Sequence, residues 1–297
     1  MPTVLYVVGA NRSGSTLLNT ILGAHADIGA FSELCGFPGD WLKDKGCTCG
    51  QTARSCPLWC EVHDRWVEAI GHDVEPWAAS TPRWERFVAG PRLAWRARRP
   101  SQSIRRHLRF TQALFDALAA ATGKKVLVDS SKAPSRLAVL ARIPDLDLAV
   151  VHLVRDPRGV VWSMRKNAAS PHNWQNQAPT WKSLAYWSIY NAGAEAALAG
   201  VPRSKRLQIR YEDLVRDPES ALGSIGDLVG IDLRPLGAQL AVGADIPIQH
   251  MLSGNHMRKA KGPIRVREDT GWRKGMRRSE AAALRQVVAL QMRRYGY

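Results

Sequence analysis

The chain has 297 residues, of which 45% are hydrophobic and 23% charged, ordinary proportions for a globular protein and enough for one large α/β domain or a domain with a sizeable insertion. Forty-two Lys and Arg against 26 acids give a net charge of +16, which suits a polyanionic ligand, a nucleic acid or a membrane surface as partner. No apolar run reaches the roughly 18 to 20 residues that span a bilayer, and the N-terminus lacks the charged-then-apolar order of a signal peptide, so a membrane span is excluded and a cytoplasmic protein is expected.

Val4-Leu5-Tyr6-Val7-Val8 reads as a buried strand, followed by the loop Gly9-Ala10-Asn11-Arg12-Ser13-Gly14-Ser15-Thr16 and a short helix over residues 17–25. Strand, glycine-bounded loop and helix N-terminus make an anion cradle, because free backbone N–H groups and the helix dipole both favour negative charge. The glycines at 9 and 14 have P-loop spacing, but Ser15 occupies the lysine position and the loop's cation is Arg12. A phosphate is expected there, with nucleoside-triphosphate hydrolysis disfavoured.

Residues 36–100 carry many Trp, Pro and Arg and no clear strand, and read as an insertion or cap. Cys35, Cys47, Cys49, Cys56 and Cys60 fall within the first 60 residues. The spacing Cys47-Thr48-Cys49 then Cys56-Pro57-Leu58-Trp59-Cys60 lacks the paired C-x-x-C of a zinc ribbon. Reduced structural cysteines, a local disulfide and a small metal site all remain open, with bracing of a loop as the expected role.

Helical spacing at Ile104, Leu108, Ala113, Leu114, Ala117 and Leu118 predicts a helix over 103–121, stopped by Gly123. Residues 125–128 form a strand ending in Asp129-Ser130-Ser131-Lys132, with a helix from Ser135. Residues 148–154 repeat the layout, ending in Arg155-Asp156-Pro157-Arg158 before another helix. A long helix over 180–199, a strand over 207–211, a helix from Pro218 and a last helix over 279–294 complete the chain. Wholly apolar strands alternating with helices indicate a mostly parallel central sheet flanked by helices. Ligands of such sheets sit beyond the carboxyl ends of the strands, which gathers Arg12, Ser130 to Lys132, Arg155 and Tyr211 at one rim.

The rim suits an anion with more than one phosphate-like group. Arg155 offers a fork of donors and Ser163, eight residues on, a hydroxyl; the plainer alternative pairs Arg155 with Asp156 or Asp213. Residues 253–258 add a glycine-containing basic loop ending in Arg258. His25, His107 and His152 read as packing or hydrogen-bonding residues rather than bases.

These motifs together resemble the sulfotransferases that use 3′-phosphoadenosine 5′-phosphosulfate (PAPS), with tyrosylprotein sulfotransferases and related bacterial enzymes as the nearest likeness. Residues 11–18, then 24–28 and Glu33 are similar to that family's 5′-phosphosulfate loop, helix and catalytic glutamate. Val154-Arg155-Asp156-Pro157-Arg158 with Ser163 resembles its 3′-phosphate segment. Arg210-Tyr211-Glu212-Asp213-Leu214 is similar to its strand-end tyrosine motif, and Asp129-Ser130-Ser131-Lys132 to the segment bringing a second cation. Gly254 to Arg258 and on to Trp272 resembles the C-terminal cofactor loop of bacterial members. The resemblance implies a single domain over 1–297 with a P-loop-like loop, the 36–100 insertion lying on the acceptor side. It implies Glu33 as general base, with Arg12 and Lys132 stabilising the leaving phosphate. Arg12, Ser13, Gly14, Ser15, Thr16, Arg155, Ser163, Tyr211 and Arg258 would bind the donor and its product 3′-phosphoadenosine 5′-phosphate (PAP). It implies an acceptor hydroxyl on a small molecule, carbohydrate or peptide, and a transfer that requires no metal.

Two rivals are weaker. A P-loop kinase wants a lysine at 15 and a magnesium carboxylate at a strand end, for which Asp129 is the one fair choice. A nucleic-acid binder would use the Arg- and Trp-rich stretch 83–100, but a cofactor with several negative charges needs positive charge too, and no nucleic acid is expected. No G-x-S-x-G nucleophile elbow occurs.

Overall fold

The computed structural model describes residues 2–85, 101–166, 179–254 and 266–297. Five strands, β1 (Thr3–Val8), β2 (Ile28–Ala30), β3 (Val126–Lys132), β4 (Leu148–Val154) and β5 (Arg206–Arg210), form one sheet in the order β2-β3-β1-β4-β5. Every pairing is parallel. The helices in chain order are α1 (Ser15–Gly23), α2 (Phe37–Leu42), α3 (Pro57–Ile70), α4 (Glu75–Glu85), α5 (Gln102–Thr122), α6 (Pro134–Leu140), α7 (Pro157–Lys166) and α8 (Thr180–Leu198). They continue as α9 (Tyr211–Arg216), α10 (Pro218–Val229), α11 (Arg234–Ala241), α12 (Gly271–Gly275), α13 (Arg278–Val287) and α14 (Ala289–Arg294). Proline opens α3, α6, α7 and α10, where its missing N–H costs nothing.

Side-chain alternation on β1 divides the core. Val4, Tyr6 and Val8 face one layer, packed with Trp59, Trp66, Trp77, Phe110 and Leu114 from α3, α4 and α5. Leu5 and Val7 face the other, with Leu18 and Ile21 of α1 and Leu222 and Ile225 of α10. Residues 36–85 therefore supply core: Trp59, Trp66 and Trp77 are fully buried, Trp66 and Trp77 stacking at 5.5 Å and Trp59 on Phe37 at 5.4 Å.

Three features differ from the sequence reading. β2 is a three-residue strand inside what reads as a loop. Residues 211–216 form a separate helix ahead of α10. The last helix is two, broken at Val288, whose backbone leaves helical geometry (φ −117°, ψ 23°) and turns Met292 and Tyr295 into the cluster around Val154 and Trp187. Among the described residues no helix is long and apolar enough to cross a membrane.

Candidate active site at the carboxyl rim of the sheet

The loop after β1 is shaped by close approach. A Cβ on Gly9 would stand 2.3 Å from the Leu153 carbonyl oxygen, so the turn admits no side chain there. Arg12 (φ 69°) and Gly14 (φ 96°) then take left-handed conformations that feed the backbone into α1. α1 has no side-chain cap and no acid in its first turn, which leaves its N-terminal amides for an anion. The buried Ser13 Oγ has no hydrogen-bond partner. Burial pulls the Arg12 guanidinium below its ordinary pKa, yet an arginine stays charged.

Across β3 stands the second element. Lys132, also left-handed (φ 69°), places Nζ 2.5 Å from Glu33 Oε1, and its own carbonyl accepts the Gly9 amide at 3.2 Å. Ser32 (φ 71°), just before Glu33, donates its amide to Asn19 Oδ1 at 3.1 Å, while its carbonyl accepts the Ser130 amide at 2.8 Å. Of the five non-glycine residues with positive φ among the described residues, Arg12, Ser32 and Lys132 converge here. Such conformations cost about 1–3 kcal/mol each and cluster at functional sites.

The strand end is held from below. Asp129 accepts the Ser131 amide at 3.0 Å and Arg136 Nε at 3.1 Å. Arg136, wholly buried, donates through Nη1 to Glu85 Oε1 at 2.6 Å, and the same oxygen meets His107 Nε2 at 2.7 Å. Burial raises the Asp129 carboxyl above its usual range. Burial works against the Arg136 charge, but Glu85 and then Asp129 outweigh it and hold the guanidinium above its ordinary value. Asp129 is thus fully enclosed and spent on Arg136, which removes the one carboxylate a magnesium-dependent kinase would have used.

Arg155 forms the third element, and its partner is not Asp156 or Asp213. Asp156 binds Arg158 at 2.5 Å and Asp213 binds Arg210 at 2.6 Å. Arg155 instead donates through Nη1 to the Arg12 carbonyl at 3.1 Å and through Nη2 to Asp269 Oδ2 at 3.3 Å. Its guanidinium lies over the Tyr211 ring, and its carbonyl accepts the buried Trp187 Nε1–H at 2.9 Å. Asp269 also meets Lys166 Nζ at 3.2 Å. Burial works to raise the Asp269 carboxyl, but Lys166 and Arg155 prevail and hold it below the ordinary value. Ser163 lies on α7 three residues before Lys166, hence on the same helix face. Arg165 turns elsewhere, donating to Glu280.

The structure thus brings Arg12, Ser13, Gly14, Ser15, Thr16, Glu33, Lys132, Arg155, Ser163 and Tyr211 to the strand ends and the helices that follow them. Arg258 and residues 86–100 of the basic stretch 83–100 lie outside the described residues. Sequence reasoning missed Asp269, which carries no motif. His25 Nδ1 accepts the Asp27 amide at 3.1 Å, and His152 Nε2 meets Asn191 Oδ1 at 3.1 Å. Trp187 is core, Trp181 is exposed, and Tyr186 and Tyr190 pack ring to ring at 4.2 Å. All five cysteines are free thiols.

The profile of the family described as "Sulfotransferase family" matches residues 3–235. Three solved structures share the fold. The sulfotransferase domain from the curacin biosynthetic pathway is 18% identical, with 97% of this chain and 98% of that chain covered and a TM-score of 0.53. The sulfotransferase domain of the Synechococcus PCC 7002 olefin synthase is 20% identical, with 97% and 94% covered and a TM-score of 0.54. Sulfotransferase STF9 from Mycobacterium avium is 14% identical, with 99% and 77% covered and a TM-score of 0.51. No curated protein sequence matches the chain.

Proposed function

Because the chain belongs to the sulfotransferase family and is a PAPS-dependent enzyme, we propose that it sulfates a hydroxyl of its acceptor with Glu33 as general base and with Arg12 and Lys132 stabilising the leaving phosphate. The observation that carries this reading is the Glu33–Lys132 contact at 2.5 Å, made where Lys132 also closes on the Gly9 turn of the anion loop.

The residues present fit the nucleotide on three counts. Ser13 Oγ is a buried hydroxyl with no protein partner. The Gly9–Gly14 turn packs so closely on the Leu153 backbone and the Tyr211 ring that side chains at 9 and 14 would displace it. Arg155 and Lys166 already share one carboxylate, that of Asp269, so their donors converge on an anionic position. In this reading Ser13, Gly14, Ser15, Thr16 and Arg12 hold the 5′ end, while Arg155, Ser163 and Tyr211 hold the 3′-phosphate, joined by Arg258. The nucleotide, when bound, supplies an activated sulfuryl group on a phosphate leaving group. Glu33 Oε1 takes the proton from the acceptor hydroxyl, and the Lys132 ammonium orients that carboxylate beforehand. The positive charges of Arg12 and Lys132, fixed in place by the backbone, are poised for charge that develops in the transition state.

The acceptor side is read as the face carrying α2, because the turn 34–36 leads directly from Glu33 into that helix. The five free thiols suit a reducing compartment and support a cytoplasmic enzyme. A thermal-shift series with PAP, ADP and ATP, with and without magnesium, tests the reading. PAP should raise the melting temperature most and without magnesium, since a ligand bound only by the folded chain stabilises it by mass action. Stabilisation by magnesium–ATP with none by PAP would overturn it.

A further inference from the structure

Cys47, Cys49 and Cys56 meet a residue from far along the chain. Their sulfurs and a ring nitrogen of His250 all lie within 4.8 Å of one another. His250 Nδ1 is 3.2 Å from Cys56 Sγ and 3.8 Å from Cys47 Sγ. A tetrahedral zinc ion with Zn–S near 2.3 Å and Zn–N near 2.0 Å holds its ligand atoms roughly 3.5–3.8 Å apart, so the four side chains need only small rotamer adjustments. Cys60 is not part of the cluster, as its thiol faces the Arg54 carbonyl at 3.1 Å.

We propose that Cys47, Cys49, Cys56 and His250 bind one structural zinc ion. Three thiolates and an imidazole are a closed Cys3His set, with no position left for water or substrate, so the ion builds the fold and takes no part in transfer. The surrounding backbone is already organised for this. The Cys47 amide donates to the Gln51 carbonyl at 2.7 Å and the Gly50 amide to the Cys47 carbonyl at 3.1 Å, which curls the Cys47–Cys49 turn. Cys56 stands at the N-cap of α3, held by its amide donating to the Thr52 carbonyl at 2.8 Å. Thr48, between the two turn cysteines, donates its amide to the Met251 carbonyl at 3.1 Å, and its Oγ1 accepts the Met251 amide at 2.8 Å. Those bonds flank His250 and present it to the sulfurs. Zinc with three thiolates carries about one net negative charge, which a chain of net charge +16 tolerates readily.

The ion would clamp the segment 249–253 onto the turn 47–56. That segment leads to the catalytic rim: Met251 Sδ accepts from Asn19 Nδ2 at 3.3 Å, and Asn19 is the residue that holds the Ser32 amide beside Glu33. The proposal is independent of the function assigned to the rim, and its test uses the metal alone.

The full-length chain, purified reduced and without chelator, should contain about one zinc per chain by elemental analysis. Stripped and titrated with cobalt(II), it should develop thiolate-to-cobalt charge-transfer absorption that added zinc abolishes, and its melting temperature should rise with either metal. His250→Ala and Cys49→Ser should lose the charge-transfer band or bind metal much more weakly, while Cys60→Ser should keep full stoichiometry. Cys49 is exposed, so its variant keeps the test open if His250→Ala does not fold. Absence of zinc together with absence of a cobalt–thiolate band would overturn the proposal. So would loss of metal in Cys60→Ser with retention in Cys49→Ser.

Discussion

The guanidinium of Arg155 lies 4.4 Å from the centroid of the Tyr211 ring, and the edge of that ring would meet a Cβ on Gly14 at 2.5 Å. One aromatic ring therefore packs against both the anion loop after β1 and the cation after β4, which also meet directly where Arg155 Nη1 donates to the Arg12 carbonyl. Its hydroxyl reaches on to the backbone around Asp269, accepting that amide at 3.3 Å. Burial pushes the Tyr211 phenol above its ordinary pKa, so it remains a neutral spacer between charged groups.

Gly14→Ala should damage this arrangement twice. The added methyl collides with the Tyr211 ring, and the residue's φ of 96° is strained for any L side chain. Overpacking of this kind costs about 1–3 kcal/mol. A melting temperature equal to that of the parent chain would show that the ring is free to move aside.

Arg155→Ala should erase discrimination between nucleotides with and without a 3′-phosphate. Losing charge-assisted hydrogen bonds of about 1.5–3 kcal/mol corresponds to a roughly 10- to 100-fold weaker affinity for PAP, with ADP affinity nearly unchanged. Calorimetry on the two ligands reads the ratio directly. An unchanged ratio assigns the 3′ contact to other residues.

Much of this rim was legible because local chemistry announces it. Residues 148–154 are apolar but for His152 and end abruptly in Arg155-Asp156-Pro157, so strand, strand end and helix start could all be placed. β2 could not, because three residues carry no period and its pairing with β3 is what defines it. The Glu33–Lys132 contact joins residues 99 apart in sequence, and only motif likeness put both in one site. Partner choice was harder still. Asp156 adjoins Arg155 and Asp213 follows the next strand, but closer cations claim them, and Asp269 arrives from the other end of the chain. His250 was missed for a similar reason: a single histidine has no spacing to read until the fold brings cysteines to it. The insertion's contribution to the core was not legible either, because the sequence around Trp59, Trp66 and Trp77 carries no signal that points them at the sheet.

Glu33→Gln keeps the side-chain shape and a hydrogen bond to Lys132 while removing the proton acceptor. Turnover, followed as PAP release with a competent hydroxyl acceptor, should fall by roughly 10²- to 10⁴-fold. PAP affinity should hardly change. Full activity in the variant would remove Glu33 as the base and leave the rim as a binding site alone.

Arg136→Met tests the support under β3. Asp129 pairs with this one buried cation and Glu85 with it and His107, and methionine fills much of its volume without its charge. Stranding buried carboxylates without a partner costs about 3–5 kcal/mol, to be read from urea unfolding. A loss below about 1 kcal/mol, the scale of an exposed ion pair, would mean that the network contributes little and that Lys132 is placed by the strand alone.

Asp269 links the rim to pH. Its carboxyl titrates below the ordinary range in the folded chain because Lys166 and Arg155 outweigh its burial. A depressed folded pKa binds fewer protons than the unfolded chain, so this contribution is fully present above the unfolded carboxyl value of about 3.9 and is lost as pH falls through the folded value. Asp269→Asn should therefore melt at a lower temperature than the parent near neutral pH, because Arg155 and Lys166 lose their shared anion. The two melting curves should draw together as pH falls below about 4, where the parent's own carboxyl becomes protonated. A gap that stays constant from neutral pH into that acid range would show that Asp269 acts through its shape and not through its charge.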